Sequence, residues 1–157
     1  MNSFDLKIIR CLMRNARTTW AELGTLLGLT APAAADRVRR LEERGVIKGY
    51  AAVVDPEAVG CMVTAYISVT LAKPADRKGF LIQIAALPQV QECHHIAGDY
   101  DYLLKIRNRT LRGLEAFVSE ALKEIPGVVK THTTIVMSTL KETPVLPVWE
   151  EPIAPEQ

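Results

Sequence analysis

Cysteine is scarce in this chain of 157 residues. Its three cysteines, Cys11, Cys61 and Cys93, are widely spaced and form no Cys-x-x-Cys pair. The sequence therefore indicates neither a disulfide framework nor a zinc site. We expect each cysteine to be a reduced, buried, small apolar residue, and the chain to work in the cytoplasm.

Long apolar runs and targeting features are also missing. No apolar stretch approaches the ~20 residues that span a bilayer, so we expect no membrane partner. The first residues alternate polar and apolar types and include Asp5, Lys7 and Arg10, which is unlike a signal peptide. No nucleophile–base pair, metal-ligand cluster or phosphate loop is evident, so the sequence predicts no catalytic residue, metal or cofactor and no enzyme.

The net charge of +1 does not predict a nucleic-acid partner, but the distribution of charge does. Residues 1–50 carry nine Lys/Arg against five Asp/Glu, a net charge of +4. Residues 51–157 carry ten against thirteen, a net charge of −3. A basic head on an acidic body indicates that only the head meets a polyanion such as double-stranded DNA.

The basic head has the pattern of a winged or helix-turn-helix domain of three helices over residues 1–45. Apolar spacing, caps and breakers predict three helices: Ser3 to about Asn15, the capping box Thr19–Glu22 to Gly28, and the cap Thr30 to Gly45. The first two helices are expected to bury the apolar side of the third and leave its other side exposed.

The outer face of the third helix is the candidate DNA-binding surface. Small residues followed by arginines at helical spacing suit a helix that enters the major groove by its N-terminal end. The candidate residues are Thr30, Ala31, Ala33, Arg37, Arg39, Arg40 and Arg44. The alternative is a solvated helix face on which Asp36, Glu42 and Glu43 neutralise the arginines. Because alanine reads little beyond thymine methyl groups, phosphates and DNA shape are expected to supply much of the binding.

The pattern changes after Gly45. Residues 46–60 are predicted to be a linking strand and hinge, with the strand over Val46–Val54 ended by Asp55-Pro56. Residues 61–142 alternate strands and helices in the order β-α-β-β-α-β, which predicts an α+β, ferredoxin-like domain. Residues 143–157 are rich in proline and are predicted to be an extended, partly disordered tail.

The first strand of that domain, Cys61–Leu71, has two contrasting faces. The face with Val63, Ile67 and Val69 is ordinary core. The other face, with Met62 and Tyr66 among threonine and serine residues, is too apolar to be fully exposed to solvent and is typical of a face covered by a partner. The alternative is an antiparallel sheet with one face solvated.

Several short motifs follow one another along the chain in a specific order. They are Asp5-Leu6-Lys7-Ile8-Ile9, Gly28-Leu29-Thr30, Arg37-Val38-Arg39-Arg40-Leu41-Glu42, Ile47-Lys48-Gly49-Tyr50, Glu92-Cys93-His94, Gly98-Asp99-Tyr100-Asp101-Tyr102-Leu103-Leu104 and Pro126-Gly127-Val128. Together, over about residues 2–142, they resemble the Lrp/AsnC (feast/famine) family of transcription regulators. The resemblance implies a sequence-specific DNA-binding regulator that pairs sheet to sheet into a homodimer and assembles further into an octamer.

The resemblance also implies an effector, typically an amino acid, that binds between subunits near the Gly98 turn. An amino acid needs an acceptor for its ammonium group and donors for its carboxylate. The candidate residues are His95, Gly98, Asp99, Tyr100, Asp101, Thr131, Thr133 and Thr134. Asp101 and Asp99 could accept, and the backbone at Gly98 and the threonine hydroxyls could donate. The alternative is that Gly98-Asp99 makes only a tight turn and the threonines fill strand positions.

Two other functions remain open at the level of sequence. One is an architectural DNA-binding protein without an effector. The other is a metabolite-binding ferredoxin-like protein or enzyme, in which the two halves of the chain would be functionally unlinked.

Overall fold

The computed structural model describes residues 1–149 and divides the chain into two compact units. Of the described residues, one unit holds Met1–Val53 and residues 141–149, and the other holds Val54–Leu140. Within the described residues, no helix combines the length and apolar character needed to cross a bilayer.

The N-terminal unit is built from three helices, α1 (Ser3–Arg14), α2 (Trp20–Leu27) and α3 (Ala31–Glu43). Their shared core consists of Ile8, Leu12, Leu23, Leu27, Ala34, Val38 and Leu41. The predicted cap of α1 is one residue too late. Asn2 caps the helix, because its side chain accepts from the Asp5 N–H at 2.9 Å and its own N–H donates to the Asp5 carboxylate at 3.2 Å.

The turn between α2 and α3 has the predicted geometry. The capping box of α2 is confirmed, since Thr19 N–H donates to the Glu22 carboxylate at 2.7 Å and Glu22 N–H donates to the Thr19 hydroxyl at 3.3 Å. Gly28 ends α2 with φ of +67°, a left-handed conformation that glycine adopts without a Cβ penalty. The Thr30 hydroxyl accepts from Ala33 N–H at 3.4 Å and caps α3.

The second unit is a four-stranded antiparallel sheet with its helices on one face, which confirms the predicted ferredoxin-like fold. The strands, in spatial order, are β2 (Val90–His95), β3 (Tyr102–Asn108), β1 (Val63–Leu71) and β4 (Val128–Ile135). A 3₁₀ turn, Pro74–Asp76, leads into α4 (Arg77–Ala86). The second helix begins as α5 (Leu111–Ala116) and continues as a π-helical stretch, Phe117–Leu122.

Alternate residues of each strand supply the core under the helices. Ala65, Ile67 and Val69 of β1 lie there with Leu104 and Ile106 of β3, all fully buried. The α4 and α5 helices cover this layer with side chains that include Phe80, Ile84, Leu114 and Phe117. The opposite face of the sheet, called here the open face, carries Thr64, Tyr66, Ser68, Lys105 and His132.

The predicted linking strand is wrong for the single chain. None of the described residues from Val46 to Met62 belongs to a strand. The N–H groups of Val46 and Ile47 instead donate to the Leu41 carbonyl, at 2.9 and 3.1 Å, and so close the end of α3. A strand is defined by a neighbour that pairs with its backbone, and the sequence pattern of one segment does not supply that neighbour.

Several burial predictions also need correction. Apolar residues at helical spacing predict that Leu26 and Leu81 face inward, but they are 55% and 37% exposed. The three cysteines are half-buried thiols rather than fully buried ones. In the predicted tail, residues 143–149 form no helix or strand, and the Arg10 guanidinium donates to the Val148 carbonyl at 2.8 Å. Residues 150–157 lie outside the described residues.

Candidate nucleic-acid interface and ligand site

The third helix presents its N-terminal end and its arginines on one exposed surface. Ala33, Arg39, Arg40 and Arg44 are exposed, and the hydroxyl of Thr30 is committed to capping the helix. Ala34, Val38 and Leu41 hold the opposite side of α3 in the core. This is the arrangement that a helix needs in order to be inserted into a groove while its back is supported.

Arg37 differs from the other arginines because it is tied into the fold. Its guanidinium lies 3.4 Å from the carboxylate of Asp5 and 5.0 Å from the ring centroid of Phe4. Asp5 is the one charged residue of the described chain that is buried, with 8% of its surface exposed. Arg37 therefore links α3 to the start of α1, and the sequence pattern did not reveal this contact.

Asp36 binds the two neighbouring arginines of the same helix. Its Oδ1 accepts from Arg39, and its Oδ2 lies 2.7 Å from Nη2 of Arg40. Arg39 also lies 3.7 Å from the Glu43 carboxylate. The neutralising pairs that the sequence offered as an alternative thus exist for Arg39 and Arg40, within the helix itself.

Glu42 has a partner outside the arginines. Its carboxylate accepts from the Tyr50 hydroxyl at 2.8 Å, which joins α3 to the segment that follows it. Desolvation raises the pKa of Tyr50 to about 12, with further contributions from this hydrogen bond and from the charge of Glu42. Tyr50 therefore stays protonated and donates throughout the neutral range.

In the second unit, the Gly98 turn is fastened to β1 by Asp101. The Asp101 carboxylate accepts from Leu71 N–H at 2.7 Å, and its backbone N–H donates to the Val69 carbonyl at 2.9 Å. Gly98 has φ of +142°, which favours glycine. One oxygen of the predicted ammonium acceptor is thus already used to hold the turn.

The aromatic residues around this turn lie on both faces of the sheet. The His95 ring is 5.2 Å from that of buried Tyr102, towards the helices. The Tyr100 ring is 6.2 Å from that of His132, and Nζ of Lys130 lies 4.8 Å from its centroid. Sequence reasoning missed Lys130 and His132, although both alternate with the candidate threonines along β4.

The three predicted threonines do not form one cluster. Thr131 and Thr133 pair with Val69 and Ile67 and so point to the helix side of the sheet. Thr134 pairs with Tyr66 and points to the open face. Successive side chains of a strand alternate between the two faces of the sheet, so a ligand bound on one face cannot contact all three hydroxyls of a single chain.

A separate cleft of about 280 Å³ lies between α4 and β2. Leu81, Ile84, Val90 and Cys93 supply its apolar lining, and burial raises the pKa of the Cys93 thiol. None of the predicted effector-binding residues lines this cleft.

Comparison with known proteins decides the family. The Lrp/AsnC ligand binding domain matches residues 64–146, and a winged helix-turn-helix DNA-binding domain matches residues 1–48. The leucine-responsive regulatory protein of Haemophilus influenzae is 36% identical over 145 residues, which cover 91% of this chain and 87% of that protein. The chain belongs to the Lrp/AsnC family.

Solved structures of other regulators share the fold of this Lrp/AsnC chain. A transcriptional regulator from Neisseria meningitidis, in complex with L-Met, superposes with a TM-score of 0.89 at 29% identity and covers 94% of this chain and 96% of its own. A feast or famine regulatory protein from M. tuberculosis, complexed with L-methionine, has a TM-score of 0.83 at 33% identity, with coverages of 88% and 93%. This Lrp/AsnC chain is a DNA-binding transcriptional regulator with a ligand-binding domain, and the relatives it matches are named as regulators.

Polar contacts within β2 and between neighbouring strands cover the open face of the Lrp/AsnC domain. The Glu92 carboxylate lies 3.0 Å from Nε2 of His94 and 3.3 Å from Nζ of Lys105. The hydrogen bond with His94, followed by that with Lys105, holds the pKa of Glu92 below its ordinary value. Arg107 donates to the Thr64 hydroxyl at 2.7 Å. Tyr66 stands among these groups and is 37% exposed.

Proposed function

We propose that this regulator reads double-stranded DNA with α3, which enters the major groove by its N-terminal end. Thr30, Ala31 and Ala33 then lie nearest the base edges, and Arg39, Arg40 and Arg44 reach phosphates or bases. The observation that carries the proposal is an exposed helix face with arginines, supported from behind by a fully buried apolar stripe. Arg37 acts mainly as a support of this face, because it is bound to Asp5.

Replacing Arg44 by glutamine is expected to weaken DNA binding and its salt dependence. Loss of one phosphate contact lowers the slope of log affinity against log salt by about one. The measurement is fluorescence anisotropy of a random-sequence duplex, long enough for two half-sites, across a potassium chloride series. Lys78→Gln, which removes an equal charge from exposed α4 in the other unit, is the matched control. Equal slopes for wild type and Arg44→Gln would remove Arg44 from the interface.

We further propose that a free amino acid is the effector and that it binds beside the Gly98 turn. Two structural neighbours of the same family hold methionine, which supports this class of ligand. Lys130, held above the Tyr100 ring, offers a cation to the carboxylate of the amino acid. Asp99 offers an acceptor to its ammonium group, since Asp101 already binds Leu71.

The open face is proposed to be the surface on which two copies pair as a homodimer. Tyr66 of β1 is partly exposed there, between the polar side chains of the neighbouring strands. The ordered bridges Glu92–His94 and Glu92–Lys105 give this face a fixed polar pattern that a second copy could match. Assembly of dimers into an octamer is the further step that the family resemblance implies.

An amino-acid panel read by thermal unfolding tests the effector proposal. A ligand that binds only the folded chain stabilises it by about 2.7 kcal/mol at 100 times its Kd, so a clear rise in Tm is expected for L-Met or another member of the panel. Lys130→Gln should lose that rise, whereas Lys123→Gln should keep it, because Lys123 is an exposed residue away from Tyr100.

Light scattering on the same samples reports the assembly. If none of the twenty amino acids raises the Tm and DNA binding is intact, the result would favour an architectural DNA-binding protein without an effector. A monomer at every concentration would contradict the pairing of open faces.

A further inference from the structure

The exposed face of α3 carries a negatively charged side chain, that of Asp36, among its arginines. Asp36 lies on the outward side of α3, roughly opposite the buried stripe of Ala34, Val38 and Leu41. Its two carboxylate oxygens bind two different arginines, Oδ1 to Arg39 and Oδ2 to Arg40, the second at 2.7 Å. The Asp36 side chain is 33% exposed, whereas those of Arg39 and Arg40 are 66% and 70% exposed.

The stability of the fold does not explain this arrangement. Both partners of Asp36 are exposed residues of the same helix, and exposed pairs of this kind contribute little to folding. An aspartate on the surface that meets DNA also repels phosphates. An explanation of its position therefore has to come from its effect on Arg39 and Arg40.

We propose that Asp36 is a positioning residue that makes DNA binding selective. It holds Arg39 and Arg40 on one shared carboxylate, so that neither guanidinium is freely offered to the phosphates of an arbitrary duplex. This inference rests on the proposed contact of α3 with DNA.

The physical basis is competition between one carboxylate and many phosphates. At an arbitrary site, a phosphate gains Arg39 or Arg40 only by breaking a pair with Asp36 and by approaching its charge. At a matching site, the guanidinium groups donate to guanine O6 and N7, and the released carboxylate accepts from the amino group of cytosine. The cost of breaking the pairs with Asp36 is therefore offset only at a site whose bases fit. The resulting difference in affinity between matching and arbitrary sites is the selectivity.

The test compares Asp36→Asn with wild type in the full chain. Asp36→Asn is expected to bind a random-sequence duplex about threefold to tenfold more tightly at fixed salt, with a slope against log salt that is steeper by roughly one. Sequences that the variant enriches from a random pool should show a weaker consensus than those enriched by wild type. Asp36→Glu, which keeps a carboxylate within reach of both arginines, should behave nearly as wild type does.

Glu42→Gln is the matched control, because it removes the same charge from the same helix, while the Glu42 carboxylate binds the Tyr50 hydroxyl and neither Arg39 nor Arg40. An equal rise in affinity for Glu42→Gln would show that net charge alone is responsible and would overturn the inference. So would unchanged or weaker binding by Asp36→Asn. With Arg39 and Arg40 both changed to glutamine, Asp36→Asn should lose most of its effect; if the effect persists in full, Asp36 does not act through them.

Failure of the α3–DNA contact can be distinguished from failure of the role assigned to Asp36. If Arg40→Gln and Arg44→Gln both leave DNA binding intact, the proposed contact of α3 with DNA is wrong. If they weaken binding and Asp36→Asn does not tighten it, only the role of Asp36 is wrong.

Discussion

Replacement of Gly24 by alanine is expected to destabilise the helix-turn-helix unit and to abolish DNA binding. An ideal Cβ at this position would lie 2.7 Å from the Leu29 carbonyl oxygen and 3.2 Å from the Ala31 nitrogen. Both are backbone atoms of the turn, so the clash is relieved only by moving the start of α3 away from α2. Overpacking of this kind costs about 1–3 kcal/mol or more, a large share of the ~5–15 kcal/mol that holds a typical domain.

The same substitution at Gly79 is the matched control. Gly79 also lies inside a helix, α4, but an added Cβ would meet nothing within 4 Å. Alanine there should stabilise the chain by roughly 0.5–1 kcal/mol, because glycine loses more backbone entropy in a helix. Urea unfolding followed by circular dichroism measures both variants, and anisotropy with a random-sequence duplex measures binding. Two variants of equal stability would show that the close approach at Gly24 is not rigid.

Replacement of Arg37 by alanine is expected to lower the free energy of unfolding of the N-terminal unit by about 1–3 kcal/mol. The Asp5 side chain is 12% exposed, and its carboxylate lies 3.4 Å from the Arg37 guanidinium. Without Arg37, this largely buried charge would keep the Asn2 N–H at 3.2 Å but lose its counter-ion. The contact of Arg37 with the Phe4 ring, at 5.0 Å, would be lost as well.

A double-mutant cycle with Asp5→Asn isolates the ion pair from the loss of packing. Arg37→Ala should cost clearly less in the Asp5→Asn background than in wild type. Arg40→Ala, whose partner Asp36 lies on the exposed surface, should change stability by no more than about 0.5 kcal/mol. If Arg37→Ala leaves unfolding unchanged and lowers the salt slope as Arg44→Gln does, Arg37 is a direct DNA contact and not a support.

Local signals along the chain were strong enough to predict the helix-turn-helix. The reciprocal bonds of Thr19 and Glu22, the left-handed Gly28 and the cap Thr30 each depend on residues within three or four positions. The period-two pattern of β1 likewise predicts Ile67 and Val69 in the core, and both are fully buried. Such features depend on interactions between residues that are close together in the chain, so the local sequence is enough to predict them.

The candidate sites were predicted less completely, for a physical reason. Arg37 lies on the same stripe as Arg40 and Arg44, and nothing nearby in sequence shows that its guanidinium reaches Asp5, 32 residues away. Thr131 and Thr134 have the same chemistry, but the pairing of β4 with β1 sends them to opposite faces. Lys130 entered the candidate effector site only because the fold brings it above Tyr100.

The sequence by itself determined the type of each unit: a basic helix-turn-helix followed by a βαββαβ domain, and membership of the family through motifs in a fixed order. Only the tertiary structure decided which charges are available for ligands and where a glycine is indispensable. Gly24 illustrates the difference, since helix propensity favours alanine there and a backbone oxygen at 2.7 Å forbids it. Contacts between residues far apart in the chain depend on packing geometry, and no local pattern encodes that geometry.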